Sequence, residues 1–208
     1  MIEQKTKEWF EARRGNFTAS QIDSLLGKLS LKRTQDKINN YAMKKAGEQY
    51  FGLSEEEVYL SKDVQRGIDL EPRAFETFKG IKRLDFIDVT EATYVPYNEH
   101  SGATPDGIVK MLANENLEIK CPTIETFNKL VLTGEINSKY FAQMQMQMLS
   151  TNTEVTHFFN YVLHNDVEYY HTILVYRCED TINELKERIA YATEIKLGFL
   201  ETLKEKFD

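Results

Sequence analysis

Asp106, Glu118 and Lys120 are the residues whose types and spacing could do chemistry together. Pro105-Asp106-Gly107 is followed, eleven residues after the glycine, by Glu118-Ile119-Lys120. On a strand, residues i and i+2 share a face, so Glu118 and Lys120 project together while Ile119 points into the opposite core. A glycine after Asp106 frees the backbone at a turn and lets a metal or phosphate come close. Carboxylates are hard oxygen ligands suited to Mg²⁺. Phosphodiester hydrolysis needs a cation that activates water and neutralises charge on the phosphate, and Asp106 and Glu118 would hold it. Lys120 would orient the attacking water or stabilise the developing charge. An isolated E-x-K on a strand is usually a surface ion-pair pattern. Joined to P-D-G at hairpin spacing, it points to a nuclease.

The elements that must position these groups follow from periodicity. Helices are predicted over Lys7 to Arg13, over Gln21 to Leu26 (capped by Ser20, closed by Gly27) and over Gln35 to Tyr50 behind Thr34. Lys62 to Phe78 reads as helix on both sides of Pro72, with Val64, Ile68, Ala74, Phe75 and Phe78 as core positions. Proline predicts a break near Asp69 to Glu71, leaving Glu71 on irregular, exposed backbone where it can complete the carboxylate set. Strands are predicted over Asp85 to Val89, Ala92 to Pro96, Gly107 to Met111, Asn116 to Lys120, Thr156 to Leu163 and Glu168 to Tyr176. The last two flank the turn His164-Asn165-Asp166, and helices are expected over Ile124 to Thr133, Tyr140 to Ser150 and Thr181 to Lys206. The pattern describes an α/β fold, a central mixed sheet flanked by helices. It fits one domain over 1–208, with a helical part to about 80 and a sheet-containing part from about 81.

A net charge of −7 argues against a general nucleic-acid coat. The charge is uneven: residues 1–50 carry ten Lys or Arg against six Asp or Glu, a balance of +4, which leaves −11 for the rest. A basic segment on an acidic body fits local phosphate grip beside a carboxylate site, although a solvated helical surface would look the same. Cys121 and Cys178 supply neither a disulfide framework nor an iron–sulfur cluster and read as reduced cytosolic thiols. Four histidines without ligand spacing disfavour zinc. No signal peptide, membrane-spanning run or G-K-[ST] phosphate loop is present, so a cytoplasmic protein without ATP-driven unwinding is expected.

Five ordered motifs between residues 9 and 145 resemble one family. The pairing of Pro105-Asp106 with Glu118-Ile119-Lys120 resembles the signature of the PD-(D/E)xK nucleases. Trp9-Phe10-Glu11-Ala12-Arg13-Arg14-Gly15 with Phe17-Thr18-Ala19-Ser20, Gly67 with Glu71 and Ala74, and Gly102-Ala103-Thr104-Pro105-Asp106-Gly107 narrow the resemblance. Leu117-Glu118-Ile119-Lys120-Cys121-Pro122 and Tyr140-Phe141-Ala142-Gln143-Met144-Gln145 complete it. Together they are similar to the lambda-exonuclease-like, or YqaJ-type, viral recombinase nucleases.

That resemblance implies Asp106, Glu118 and the backbone carbonyl of Ile119 as metal ligands. Glu71 is implied to position a second metal or the nucleophilic water, Lys120 to be the catalytic lysine, and Gln143 to lie near metals and substrate. It implies Arg13 and Ser20 as the 5′-phosphate pocket, with the Thr104 hydroxyl available to it. Gln145 and Gln147 read as surface of a Gln/Met-rich helix, and Trp9 as a core anchor rather than a DNA-stacking ring. The implied activity is 5′→3′ exonuclease digestion of linear duplex DNA to mononucleotides, leaving 3′ overhangs for phage-type recombination. Two Mg²⁺ ions are implied, with Mn²⁺ as substitute, together with a homotrimeric ring and a single-strand annealing partner in the bacterial cytoplasm. The rivals are a RecB-like or resolvase-type endonuclease and a non-hydrolytic DNA-end-binding scaffold.

Overall fold

The computed structural model describes residues 4, 6–52, 62–85 and 87–208, and of residues 62–64 the backbone alone. Val64, expected in the core, and Phe86, in the first predicted strand, therefore lie outside the described side chains. The chain opens with α1 (Lys7–Arg13), whose first turn is capped by the Thr6 hydroxyl accepting from Trp9 N. Strand β1 (Phe17–Thr18) leads into a 3-10 helix (Ala19–Leu25). The predicted α-helix capped by Ser20 is thus replaced by a tighter turn without a side-chain cap. The Ser20 hydroxyl instead lies 3.4 Å from that of Thr18. Helix α2 (Lys32–Phe51) starts three residues earlier than expected and places Thr34 inside it, packed under Gly27. It ends where predicted, at Gly52 in the left-handed region.

Helix α3 (Lys62–Leu84) runs through Pro72 without the predicted break. Proline removes one backbone donor, so the cost is one hydrogen bond to the carbonyl four residues earlier. Leu70 before the proline and Ala74 and Phe78 after it pack on the same sheet face, and burial on both sides holds the helix together.

A five-stranded sheet has the order β2-β5-β6-β7-β8, formed by β2 (Asp88–Glu91), β5 (Gly107–Lys110), β6 (Glu115–Lys120), β7 (Val155–His164) and β8 (Val167–Tyr176). Only β6 and β7 run parallel, so the sheet is mixed, as expected. A smaller sheet orders β1, β4 (Ser101–Ala103) and β3 (Val95–Asn98), with β1 parallel to β4. The β7–β8 hairpin turns on Asn165 and Asp166, both at positive φ, as a two-residue primed turn requires. The remaining helices are α4 (Ile124–Thr133), α5 (Ser138–Thr151) and α6 (Glu179–Phe207).

Strand alternation sends Leu117 and Ile119 to one face of the large sheet, where they meet Ala74 and Phe78 of α3 with Val109, Phe159 and Tyr161. The other face packs Phe158 and Val175 against Met144 and Met148 of α5 and Leu130 of α4. A third cluster joins α2, the 3-10 helix, α5 and α6 through Ile38, Ile22, Met146 and Leu185, so the N-terminal helices pack directly on the C-terminal ones. Phe78 is 1% exposed and meets the Phe159 ring edge-on at 5.0 Å. Phe78→Ala is expected to cost about 3–5 kcal/mol through lost burial and a cavity. Urea denaturation checks this, and a loss below about 1 kcal/mol would contradict the packing.

Candidate active site

The β5–β6 hairpin brings the two halves of the motif together. Asp106, one residue before β5, is tied to β6 by its N–H donating to Leu117 O at 2.9 Å. Its carboxylate Oδ2 accepts from the Ile119 N–H at 2.6 Å. In a strand, the N–H and C=O of one residue point to the same edge, so the Ile119 carbonyl faces the gap that Asp106 closes. Gly107 is needed for close packing rather than for turn freedom. A Cβ there would sit 3.0 Å from the Phe75 ring, 3.1 Å from Thr90 O and 3.2 Å from the Leu117 side chain.

Glu118 and Lys120 project from the opposite face, toward α5. Glu118 is fully buried, and Oε1 accepts from the Lys120 ammonium and from Gln143 Nε2 at 2.6 Å. Its Oε2 accepts from Gln147 Nε2. Lys120 Nζ stands 5.2 Å from the centre of the Tyr140 ring. Glu71, on α3 ahead of Pro72, shares with Asp106 and Ile119 the wall of a cleft of about 280 Å³, which also meets Gln4, Phe75 and Glu91. Glu71, Ile119, Lys120 and Tyr140 also line the adjoining hollow under α4. The sequence-predicted residues Glu71, Asp106, Glu118, Ile119, Lys120 and Gln143 are therefore gathered around one strand end.

Electrostatics here are dominated by excess carboxylate. Burial, then the neighbouring Glu118, push the Asp106 carboxyl well above the usual carboxylate range; Glu71 adds to this, while Lys120 and the Ile119 N–H oppose it. Burial works against the charge on Lys120, but Glu118 and Asp106 outweigh it and hold the ammonium protonated beyond its ordinary range. Burial and then Glu71 push the Cys121 thiol up to about 12, so it is no nucleophile near neutral pH. Among the described residues, no three His, Cys, Asp or Glu side chains form a ready-made metal cluster. Glu118 instead turns both oxygens to protein donors. The donor set still suits a hard divalent cation: two carboxylates, a strand carbonyl and space for water, with the ionised form of Asp106 disfavoured unless a positive charge joins it.

Arg13 ends α1, Ser20 stands in the first turn of the 3-10 helix after β1, and Thr104 follows β4, so all three belong to the elements around the smaller sheet. Parallel pairing of β1 with β4 sets Thr18 opposite Gly102, two residues before Ser20 and Thr104 respectively. The Arg13 guanidinium stacks 3.8 Å over the Trp9 ring. Trp9 is buried, and its Nε1 donates to the Thr104 hydroxyl at 3.2 Å. Trp9 is thus a platform inside the structure, and the Thr104 hydroxyl already has a donor.

The loop between Arg13 and Ser20 is fixed at Gly15, whose φ of +70 and close approach to Gln49 Cβ (2.8 Å for an added Cβ) demand glycine. Its N–H donates to Glu48 Oε2 at 3.3 Å, in a buried ion pair with Lys45. Its carbonyl accepts from Lys196 Nζ at 2.9 Å, 181 residues away. Burial lowers the Lys196 amine to about 8, with Lys45 adding to the effect and Glu99 and Glu48 opposing it.

Two residues differ from expectation. Gln145 and Gln147, expected at the surface, are both fully buried. Gln145 donates to Tyr176 O and accepts from Cys178 N, tying α5 to the end of β8. Gln147 reaches Glu118. The available signal was spacing: residues four apart share a helix face, so Gln147 had to follow Gln143.

Residues 8–154 match the profile of the YqaJ-like viral recombinase domain. The structure is similar to that of an alkaline exonuclease (LHK-Exo) from Laribacter hongkongensis, with 28% identity, 97% of each chain covered and a TM-score of 0.80. The same enzyme in complex with dAMP matches at 27% identity, 97% of each chain and a TM-score of 0.80. A phage related exonuclease from Haemophilus somnus 129PT shares the fold at 17% identity, covering 92% of this chain and 96% of its own, with a TM-score of 0.65. No curated protein matches this sequence. The fold is accordingly that of the PD-(D/E)xK nucleases. With the profile spanning 147 of its 208 residues, this chain belongs to the YqaJ-like viral recombinase family.

Proposed function

We propose that the protein is a divalent-metal-dependent exodeoxyribonuclease that digests linear duplex DNA 5′→3′, releases mononucleotides and leaves 3′ single-stranded overhangs for phage-type recombination. The observation that carries this reading is the convergence of Asp106, Glu118, the Ile119 carbonyl and Lys120 at one end of β6, facing Glu71 of α3 and Gln143 of α5. Full-length similarity to an alkaline exonuclease supports the nuclease class, and that relative's complex with dAMP fits a mononucleotide product.

Asp106, Glu118 and the Ile119 carbonyl would hold Mg²⁺, with Mn²⁺ as substitute and Glu71 beside a second ion. A cation held there supplies charge neutralisation at the phosphate and a more acidic water. Lys120, held in its protonated form by its carboxylate neighbours, would act as a cation and hydrogen-bond donor to the phosphate or the attacking water. Gln143 holds one Glu118 oxygen in place. Arg13, made rigid by stacking on Trp9, would offer a planar fork to a terminal 5′-phosphate, and Ser20 would add its hydroxyl. Thr104 serves this pocket through Trp9 rather than through a free hydroxyl. The partners of this activity are duplex DNA ends and a single-strand annealing protein, and the assembly a homotrimeric ring in the cytoplasm of a bacterial host. No described helix is long and apolar enough to cross a membrane.

The deciding experiment is time-resolved digestion, in Mg²⁺, of a linear duplex labelled separately at each end, with 5′-phosphate or 5′-hydroxyl. Early release of the 5′ label as mononucleotide, with closed circles untouched, is the expected result. Internal cutting would move the function to an endonuclease, and tight end binding without turnover would move it to a scaffold. In the same assay, Arg13→Ala is expected to erase about 10–100-fold of the preference for phosphorylated ends, the worth of a charge-assisted hydrogen bond. An unchanged phosphate-to-hydroxyl rate ratio would remove Arg13 from that pocket.

A further inference from the structure

We propose that Gln147 is a positioning residue that locks the two halves of the carboxylate site to each other and thereby sets its affinity for divalent cations. The inference rests on the metal-dependent nuclease reading above. Gln147 sits in the last turns of α5 and is fully buried. Its Nε2 donates to Glu118 Oε2 and approaches the carbonyl of Thr104 at 3.4 Å. Thr104 is two residues before Asp106, so one amide bridges β6 to the segment that delivers the other carboxylate.

The amide's two ends are used unequally. An NH₂ group has two protons, and here both find an acceptor. The Oε1 atom is buried and has no hydrogen-bond partner among the described residues. An unpaired buried carbonyl is a cost that a purely structural core position would avoid. The helix fills its neighbouring buried positions with Met144, Met146 and Met148. A methionine at 147 would fill similar space without the orphan, and would also lose the donor. The donor end is therefore the part of this side chain that the site uses.

Gln145 supplies the control. It is equally buried, two residues away on the same helix, and spends its amide on Tyr176 O and Cys178 N, away from the carboxylates. Groups that orient metal-holding side chains typically change metal affinity by about 10–100-fold when removed. Loss of a structural hydrogen bond changes stability and leaves that affinity alone.

The test compares full-length wild type, Gln147→Met and Gln145→Met by Mn²⁺ calorimetry without DNA, by the Mn²⁺ concentration giving half-maximal cleavage, and by thermal unfolding in EDTA. Gln147→Met is expected to weaken Mn²⁺ binding and to raise the half-maximal concentration, each by about tenfold or more. KM for DNA at saturating Mn²⁺ should stay near wild type. Gln145→Met should lower Tm and leave both Mn²⁺ measures within about twofold of wild type, well short of that range. Gln147→Asn, which keeps an amide in the core but withdraws it from Glu118, replaces the methionine variant if that one does not fold, with the same expected shift. Unchanged Mn²⁺ affinity and midpoint in a folded Gln147 variant would overturn the proposal and leave the nuclease reading standing. A wild type that neither binds Mn²⁺ nor cuts DNA would overturn both.

Discussion

Lys120→Met is expected to lower the cleavage rate by about 10³-fold while leaving DNA binding nearly intact and Mn²⁺ binding unchanged or tighter. The reasoning starts from charge. The Lys120 ammonium stands against the Glu118 carboxylate, and the surrounding carboxylates keep it protonated throughout the physiological range. A protonated ammonium contributes by its charge and its donors, and that contribution is largest where negative charge builds on the phosphate in the transition state. Methionine keeps the unbranched stem beside Tyr140 and removes the charge together with its donors. Glu118 retains its two glutamine donors, so the fold around it should hold. With a competing cation gone, the site's negative charge rises, and a divalent ion should bind at least as well. Single-turnover cleavage and calorimetry read the two effects separately. Cleavage within tenfold of wild type would remove Lys120 from the chemistry, and a large loss of Mn²⁺ affinity would make it a structural prop for Glu118 instead.

The residues nearest in sequence were the most legible. E-x-K on a strand after P-D-G needs only strand period and a hairpin to bring its groups to one end, and β5 and β6 do so with Asp106 opposite the Ile119 amide. Helix α4 has its expected bounds because Thr123 caps its first turn and Gly134 its last, both local devices. The β7–β8 turn was equally local. By contrast, β1 and β4 have two and three residues, too short for any period to register, and they are held by pairing across more than eighty positions. Pro72 misled because local backbone cost was set against a helix whose two halves bury side chains on one sheet face.

The support behind the site was the least legible. The Gly15 loop is pinned by Lys45, Glu48 and Lys196, and the last of these lies 181 residues away on α6. A buried lysine on an otherwise amphipathic helix has no sequence mark that separates it from a surface one. Gln147 could have been found: on a helix, 143 and 147 share a face while 145 lies almost opposite. The interleaved methionines obscured this by suggesting adaptable core packing. Types and spacing therefore named the groups that gather at the end of β6, whereas most of the groups that hold them required the tertiary structure.

Asp106→Asn is expected to abolish cleavage, by about 10³-fold or more, and at the same time to raise the protein's Tm in EDTA. The loss follows from removing a charged oxygen from the proposed cation site, where several kcal/mol of barrier reduction translate into three or more powers of ten. The gain follows from the state of Asp106 without a cation. Its carboxyl is pushed well above the ordinary range by burial and by Glu118, so ionising it costs more in the folded chain than in the unfolded one. For a carboxyl with a raised folded pKa, the folded chain binds the extra proton, so stability is fully present below the unfolded pKa and is lost as pH rises through the folded one. Asparagine keeps an oxygen to accept from the Ile119 N–H and carries no charge at any pH. Its advantage over wild type should therefore grow as pH rises from about 4 toward neutrality, with each kcal/mol of relief worth about 2–4 °C in a chain of this size. Adding Mn²⁺ should reverse the order, because binding to the folded state stabilises wild type and not the variant. Thermal unfolding across pH, with EDTA and then with Mn²⁺, measures all three effects. A variant less stable than wild type in EDTA at neutral pH would mean that Asp106 is a stabilising carboxylate, paired by its neighbours rather than held in readiness for a cation.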